Sequence, residues 1–359
     1  MAAAGTTSAL AVLARRSPGA IGVSRVYSVP RRAEGCRGGG STTFPRCRSC
    51  NDAAAGRLPR TDCAELVPPD PSKPAPVELS AEVLLGACDH ARLLERDAYA
   101  PLHDLARAEA LQTGIEVARI ARGERPVGFK IGFTNRSIWP LYGVFHPIWG
   151  PVWNTTLRVV GEPGSGAEAE PTEIDLLRFV QPRLEPEIVV GLRAMPREHT
   201  PQAVFDVVDW FAHGFEIVQC PYPDWRFTAA EAVAAQSLHG ALVLGPRRPV
   251  SALGSDADSA VERLAQIEVE LRCDGTVVGT GHGRDALDGP LHAIAHLAHE
   301  LALRGHSIPP GALISTGTLT DAQPLSVGQD WTSRIEGAEL PGLSIRLVDR
   351  SRTSPTVLR

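Results

Sequence analysis

Two glutamates one residue apart enter an otherwise apolar, β-branched run, Leu184-Glu185-Pro186-Glu187-Ile188-Val189-Val190. Read as a strand, the run sends Glu185 and Glu187 to one face while Leu184 and Ile188 face the core, because strand side chains alternate with a period of two. Neighbouring carboxylates in a buried strand repel one another and lose hydration, so a fold that keeps them there calls for a cation. Glu216, in the short apolar run Phe215-Glu216-Ile217-Val218, can complete a three-carboxylate site suited to a hard divalent ion. The competing reading makes Glu185 and Glu187 the solvated face of an edge strand and lets Glu216 begin a turn. Pro186 fits such an edge, having no N–H to give to a ladder.

The 359 residues can bury a sizeable core, as one large domain or two smaller ones. A formal charge of −5 gives no electrostatic reason to expect nucleic acid as a partner. No apolar run reaches the ~18 residues that a membrane span requires, so no integral membrane protein is expected. The cysteines, Cys36, Cys47, Cys50, Cys63, Cys88, Cys220 and Cys273, are odd in number and scattered, unlike a secreted disulfide framework, and indicate a reducing compartment. Zinc bound by Cys47 and Cys50 with Cys36 and Cys63 is disfavoured by the Arg, Gly and Pro around them.

Residues 1–76 differ in composition from the rest. No acidic residue precedes Glu34, whereas Arg15, Arg16, Arg25, Arg31 and Arg32 do, which is how an organellar transit peptide is composed. An unstructured extension fits equally well, so the expected location is cytoplasmic, or mitochondrial if the segment is a transit peptide. Pro68, Pro69, Pro71, Pro74 and Pro76 read as a stiff linker.

From Ser80 the pattern becomes helical. Ser80 reads as an N-cap before the stripe Val83, Leu84 and Ala87, and Leu102–Ala121 forms a second helical stretch. From about Phe129 the segments shorten into strands and turns, including a hairpin about Asp274-Gly275 between Ile267–Arg272 and Thr276–Val278. The organisation expected is α+β: a basic extension and linker over 1–76, an N-terminal helical subdomain over 77–142, and a β-rich mixed-sheet core over 143–359. A helix from Asp288 to Arg304 lines His292, His296 and His299 on one face and Ile294, Leu297, Ala298 and Leu301 on the other. With no H-E-x-x-H pattern, these histidines are expected in water, not on zinc.

Three further residues stand where chemistry is possible. Lys130, in the glycine-flanked run Gly128-Phe129-Lys130-Ile131-Gly132, is an ammonium in an apolar setting that can hold an anion or stabilise an enolate, or can snorkel from a strand end. His239 precedes the apolar run Ala241-Leu242-Val243-Leu244, a place where structural histidines are common. Ser315-Thr316-Gly317-Thr318-Leu319-Thr320 offers hydroxyls on a turn where a carboxylate can bind, with Thr318 the candidate for substrate.

Together these stretches resemble the fumarylacetoacetate hydrolase superfamily, in its branch of 2-keto-4-pentenoate hydratases and 4-oxalocrotonate decarboxylases, from about Ser80 to Leu347. Arg125–Thr134 is similar to the family's lysine segment, Pro182–Ile188 to its E-x-E metal motif, and Phe215–Val218 with Asp224-Trp225-Arg226 to its third-ligand segment. Gly289–Ala298 and Gly317–Thr320 resemble its C-terminal block.

The resemblance implies a fumarylacetoacetate-hydrolase-like fold and a homo-oligomer. It implies Glu185, Glu187 and Glu216 as ligands of Mg²⁺ or Mn²⁺, with Lys130 beside a small 2-oxo or 2-hydroxydienoic acid. The activity it implies is that of a lyase, hydratase-like, working through a metal-stabilised enolate. Decarboxylation, C–C hydrolysis and a non-catalytic metal-binding homologue are the alternatives. Two departures bear on that choice. The hydratases' Pro-Asp-(aromatic)-Gly segment is Pro147-Ile148-Trp149-Gly150, and their Asp-Asn-Ala-Ser run is Ala235-Gln236-Ser237-Leu238. His239, beside the second, is the candidate replacement acid or base.

Overall fold

A computed structural model describes residues 75–352 apart from 96, 137–138 and 162–169. The candidate transit peptide, most of the linker and Cys36, Cys47, Cys50 and Cys63 lie outside the described residues. Among the described residues no helix is long and apolar enough to cross a membrane.

The helices are α1 (Ala81–Asp89), α2 (Leu105–Ala121), α3 (Trp139–Tyr142), α4 (Pro201–Phe205), α5 (Ala229–Ala234), α6 (Ala257–Ala265) and α7 (Pro290–Leu303). The strands of a larger sheet are β1 (Pro126–Gly132), β2 (Ile148–Trp153), β3 (Leu157–Val159), β5 (Arg183–Leu192), β6 (Val208–Val218), β7 (His239–Leu244), β8 (Arg248–Pro249), β11 (Leu313–Thr318) and β12 (Gln323–Pro324). A smaller sheet holds β4 (Thr172–Asp175), β9 (Glu268–Cys273), β10 (Thr276–His282), β13 (Asp330–Glu336) and β14 (Ser344–Val348). The expected α+β class is what forms.

The larger sheet runs β2-β1-β11-β5-β6-β7-β3, with β12 pairing β5 and β8 pairing β6. Val152 of β2 and Leu242 and Leu244 of β7 share one buried cluster with Val189, Ala212 and Leu313. Strands near opposite ends of the order therefore meet, so the sheet rolls around that cluster. On its other face, Leu184, Phe215, Ile217 and Val243 pack against Leu271, Trp331, Ile345 and Leu347 of the smaller sheet. Further along that face, Ile188 and Val190 pack against Ile294, Leu297 and Leu301 of α7. Each such fully buried side chain contributes about 1.5–3 kcal/mol by leaving water, which fixes the register of β5.

That register makes β5 an interior strand, flanked by β11 and β6. The edge position that Pro186 suggested does not occur. Pro186 is tolerated because the β5–β11 ladder shifts between Ser315 and Thr318 before β5 continues on β12, so the missing N–H falls at an interruption. The domain boundary near 142 also differs from expectation. β1 belongs to the larger sheet, parallel to β11, because Gly128 lets the two backbones close up; a Cβ there would lie 1.9 Å from the Leu313 carbonyl oxygen. Lys130 is thus part of the β core, not of the helical segment before it.

The helical segment is α1 and α2, packed with α5. Ser80 caps α1 as expected, its Oγ accepting from the Val83 N–H at 3.3 Å, and Asp104 caps α2. Thr228 and Glu231 form a capping box on α5, and both also bond the backbone of Leu102, which ties α5 to the entry of α2. The hairpin forms about Asp274 and Gly275, both at positive φ, and α7 keeps His296 and His299 exposed as expected, whereas His292 is half-buried with its Nδ1 shielded from solvent.

Glu116 of α2 yields a stability prediction. Burial pushes its carboxyl up to about 7 from the usual 4.5. The folded state therefore holds a proton that the unfolded chain releases, and stability falls as pH rises between those values. Glu116→Gln is expected to stabilise the protein at pH 8 by about 1–3 kcal/mol and to change little at pH 4. Urea unfolding at the two pH values checks this, and equal effects at both would contradict it.

Candidate metal centre

Glu185 and Glu187 leave the same face of β5, and Glu185 stands directly across the antiparallel ladder from Glu216 of β6. One ligand atom from each of the three lies within 4.8 Å of the others. Glu187 and Glu216 are fully buried, while Glu185 keeps an edge toward solvent. Opposed like charges at this depth destabilise a sheet on their own.

The donors around them sort the carboxylate oxygens. Glu187 Oε2 accepts from the Ser315 hydroxyl at 2.6 Å and from the Gly317 N–H at 3.0 Å, and its Oε1 is buried without a hydrogen-bond partner among the described residues. Gly317 reaches it at φ 107°, with Thr134 packed 2.3 Å from where a Cβ would stand. Glu216 Oε1 faces His239 Nδ1 at 2.8 Å, and its Oε2 lies 3.2 Å from Lys130 Nζ without aligned hydrogen-bond geometry. Each fully buried acid thus has one oxygen anchored by a hydrogen-bond donor and the other without one among the described residues. Clustered, partly unpartnered, all-oxygen donors fit a hard divalent cation.

The protonation pattern agrees. Burial, with the charge of Glu216 adding to it and Lys130 opposing, pushes the Glu185 carboxyl up to about 7. Burial and the charges of Glu216 and Glu185 push Glu187 well above the carboxylate range. Burial would raise Glu216 too, but Lys130 and His239 outweigh it and hold that carboxyl low. Burial opposes the Lys130 charge, yet Glu216, Glu185 and Glu187 overcome this and keep it an ammonium. Without a cation the centre therefore holds excess protons, which a divalent ion displaces on binding.

Lys130 Nζ also donates to the Ser237 carbonyl at 3.0 Å. That carbonyl is aimed by an unusual turn: Gln236, Ser237 and Leu238 all adopt left-handed φ of 56°, 53° and 63°. Three non-glycine residues held there cost on the order of 1–2 kcal/mol each, strain typical of functional loops.

His239 is buried with both ring nitrogens engaged, Nδ1 by Glu216 and Nε2 by the Thr156 hydroxyl at 2.8 Å. Burial lowers its basicity below the usual imidazole value. The neutral ring then donates from Nδ1 to the carboxylate and accepts from Thr156 at Nε2. The expectation of a free acid or base at His239 thus meets a ring whose hydrogen-bonding capacity is filled by the protein. Thr318 lies opposite Glu187 in the ladder, but its hydroxyl donates to the Thr320 carbonyl at 2.7 Å within its own turn. Ser315 and Gly317 belong to the turn expected to bind a carboxylate, but that the carboxylate is that of Glu187 escapes a sequence reading, as do the roles of Thr156 and Ser237, since all depend on pairings across more than 80 residues.

Ile148 and Ala235 are buried in the cluster that joins α1, α2 and α5. No acid stands at either position.

Residues 155–343 match the family model described as fumarylacetoacetate (FAA) hydrolase C-terminal. A 4-oxalocrotonate decarboxylase of Pseudomonas sp is 31% identical over 226 residues, 62% of this chain and 79% of the relative. A 2-keto-4-pentenoate hydratase of Paraburkholderia xenovorans (strain LB400) is 30% identical, over 64% of this chain and 80% of the relative. Among solved structures, 4-oxalocrotonate decarboxylase from Pseudomonas putida G7, complexed with magnesium and adipate, matches with a TM-score of 0.65 and 25% identity, covering 75% of this chain and 95% of that one.

Proposed function

Because the chain belongs to the fumarylacetoacetate hydrolase family, we propose that it is a metal-dependent lyase of small 2-oxo or 2-hydroxydienoic acids, hydratase-like in its reaction. The observation that carries this reading is the Glu185, Glu187 and Glu216 centre, with an unpartnered Glu187 oxygen and with Lys130 alongside. These three acids would hold Mg²⁺ or Mn²⁺, the first of which accompanies the decarboxylase relative. When bound, a divalent ion would supply Lewis-acid polarisation to a 2-oxo acid.

The chain's own groups do the rest. Lys130 presents a fixed positive charge in a low-dielectric site, where it favours negative charge developing on a substrate oxygen. One of its N–H groups is given to the Ser237 carbonyl and the Glu216 carboxylate lies 3.2 Å away, so donor capacity remains for a substrate oxygen. Ser315 and the Gly317 N–H fix Glu187, and His239 fixes Glu216, so the carboxylates are oriented before a ligand arrives. By the family resemblance the protein works as a homo-oligomer.

Decarboxylation is the second reading, favoured by the apolar burial of Ile148 and Ala235 where hydratases carry acids. Incubating the Mg²⁺-loaded chain with 2-hydroxypenta-2,4-dienoate and with 4-oxalocrotonate separates the two. Loss of the dienoate chromophore without CO₂ supports hydration, and CO₂ from 4-oxalocrotonate supports decarboxylation. Turnover of neither overturns the lyase reading and leaves a metal-binding homologue.

His239 acts in this scheme through Glu216. We expect His239→Leu to weaken Mn²⁺ binding about 10- to 100-fold, with part of the affinity restored by His239→Gln, which retains an N–H donor. Free Mn²⁺ measured by electron paramagnetic resonance reads this without turnover. Unchanged affinity in His239→Leu would count against the positioning role.

A further inference from the structure

Strand β6 carries Glu216 on one face, so its alternation sends His213, Phe215 and Ile217 to the other, toward the smaller sheet. There the imidazole of His213 is 1% exposed and lies edge-on to Phe215, with ring centroids 5.3 Å apart. Packing alone asks only for an apolar side chain at such a place, because two buried ring nitrogens are costly unless both are bonded.

Both are bonded. Nδ1 lies 3.0 Å from the backbone carbonyl of Glu187, and Nε2 lies 2.8 Å from the Ser333 hydroxyl of β13. A carbonyl can only accept, so Nδ1 carries the hydrogen. Burial lowers the ring to about 4 and keeps it neutral, and Nε2 then accepts from Ser333. Ser333 is itself pinned: its Oγ accepts from the Leu343 N–H at 2.9 Å, and its own N–H donates to the Leu343 carbonyl at 2.9 Å. One directed chain therefore runs from Leu343, at the entry of β14, through Ser333 and His213 to the peptide of Glu187.

That peptide lies where β5 is least regular. Pro186 has no N–H to give, and the pairing with β11 shifts between Ser315 and Thr318. Side chains bond the backbone here: the Thr316 hydroxyl donates to the Ile188 carbonyl at 2.8 Å, and His213 donates to that of Glu187. Ser315 and Gly317 hold the Glu187 carboxylate on one face of the sheet, and His213 holds its peptide from the other.

We propose that His213 and Ser333 are positioning residues, through which the smaller sheet fixes the backbone of Glu187 and thereby sets the affinity of the carboxylate centre for its cation. The inference rests on the metal-centre reading and adds the scaffold that tunes it. No proton moves along the chain; it acts by holding Glu187 in place.

The test measures free Mn²⁺ by electron paramagnetic resonance against the full chain, with circular dichroism checking that each variant is folded. His213→Leu removes both hydrogen bonds and is expected to weaken Mn²⁺ binding about tenfold. Ser333→Ala, one bond further from the ligand, is expected to weaken it about threefold. It should add nothing in the His213→Leu background, because the two residues act through one chain. His213→Asn places an N–H donor near the Nδ1 position and recovers part of the loss. If the histidine serves packing alone, the variants unfold at lower temperature while the folded chains bind Mn²⁺ with native affinity. That result overturns the proposal and leaves the metal reading standing, as does a Ser333→Ala effect that persists in full beside His213→Leu. Should His213→Leu not fold, Ser333→Ala decides alone: a threefold loss supports the chain, and native affinity overturns it. A native protein that binds no Mn²⁺ removes the metal reading and the inference with it.

Discussion

Glu187→Gln is expected to lower turnover by at least about 10³-fold while making the metal-free protein more stable at pH 8. The first effect follows because Glu187 is fully buried, one of its oxygens is anchored by Ser315 and Gly317, and the other has no hydrogen-bond partner among the described residues. An amide can keep an oxygen toward Ser315 and Gly317, but it cannot supply the charge a divalent cation needs. The second effect follows because burial and the charges of Glu216 and Glu185 already push this carboxyl well above its ordinary range. A folded pKa above the unfolded one means that stability is fullest below the unfolded value and is lost as pH rises, so removing the ionisable group helps most at high pH. Thermal unfolding with and without Mn²⁺ reads both halves. The native protein should gain stability from the metal, and Glu187→Gln should start higher and gain nothing. A variant that still gains stability from Mn²⁺ contradicts the assignment of Glu187 as a ligand.

Lys130→Met separates the ammonium from the metal. Turnover is expected to fall about 10²- to 10³-fold, the range lost when a preorganised electrostatic stabiliser is removed. Mn²⁺ affinity should hold or rise, because the variant removes a positive charge 3.2 Å from Glu216. The metal-free fold should lose about 3–5 kcal/mol, since three carboxylates then face one another without their buried cation. Saturating Mn²⁺ should restore much of that stability by supplying the missing charge. Loss of metal affinity in Lys130→Met would instead place the lysine's importance in building the site.

The parts of this centre legible in the sequence are those that local alternation dictates. Glu185 and Glu187 share a face because they are two apart in an apolar run, and Glu216 was found by the same pattern. The depth of β5 was not legible. Pro186 pointed to an edge, and only the ladder interruption at Ser315–Thr318 shows how an interior strand tolerates it. The helical caps at Ser80 and the turn at Asp274-Gly275 were readable because their chemistry is local. The role of β1 was not, since its place beside β11 depends on Gly128 closing against Leu313, 185 residues along the chain. His239 drew notice as a lone titratable group. Its two partners, Glu216 and Thr156, are 23 and 83 residues away, so its filled hydrogen-bonding capacity emerges only in three dimensions.

The most direct measurement is the water proton relaxation of the full chain with Mn²⁺, titrated with 2-oxohexanoate. One Mn²⁺ is expected to bind per chain with open positions occupied by water, and the 2-oxo acid should displace that water and lower the relaxation enhancement. Failure of Mn²⁺ to bind, or an enhancement that the 2-oxo acid leaves unchanged, would contradict a three-carboxylate centre built to chelate and polarise such a substrate.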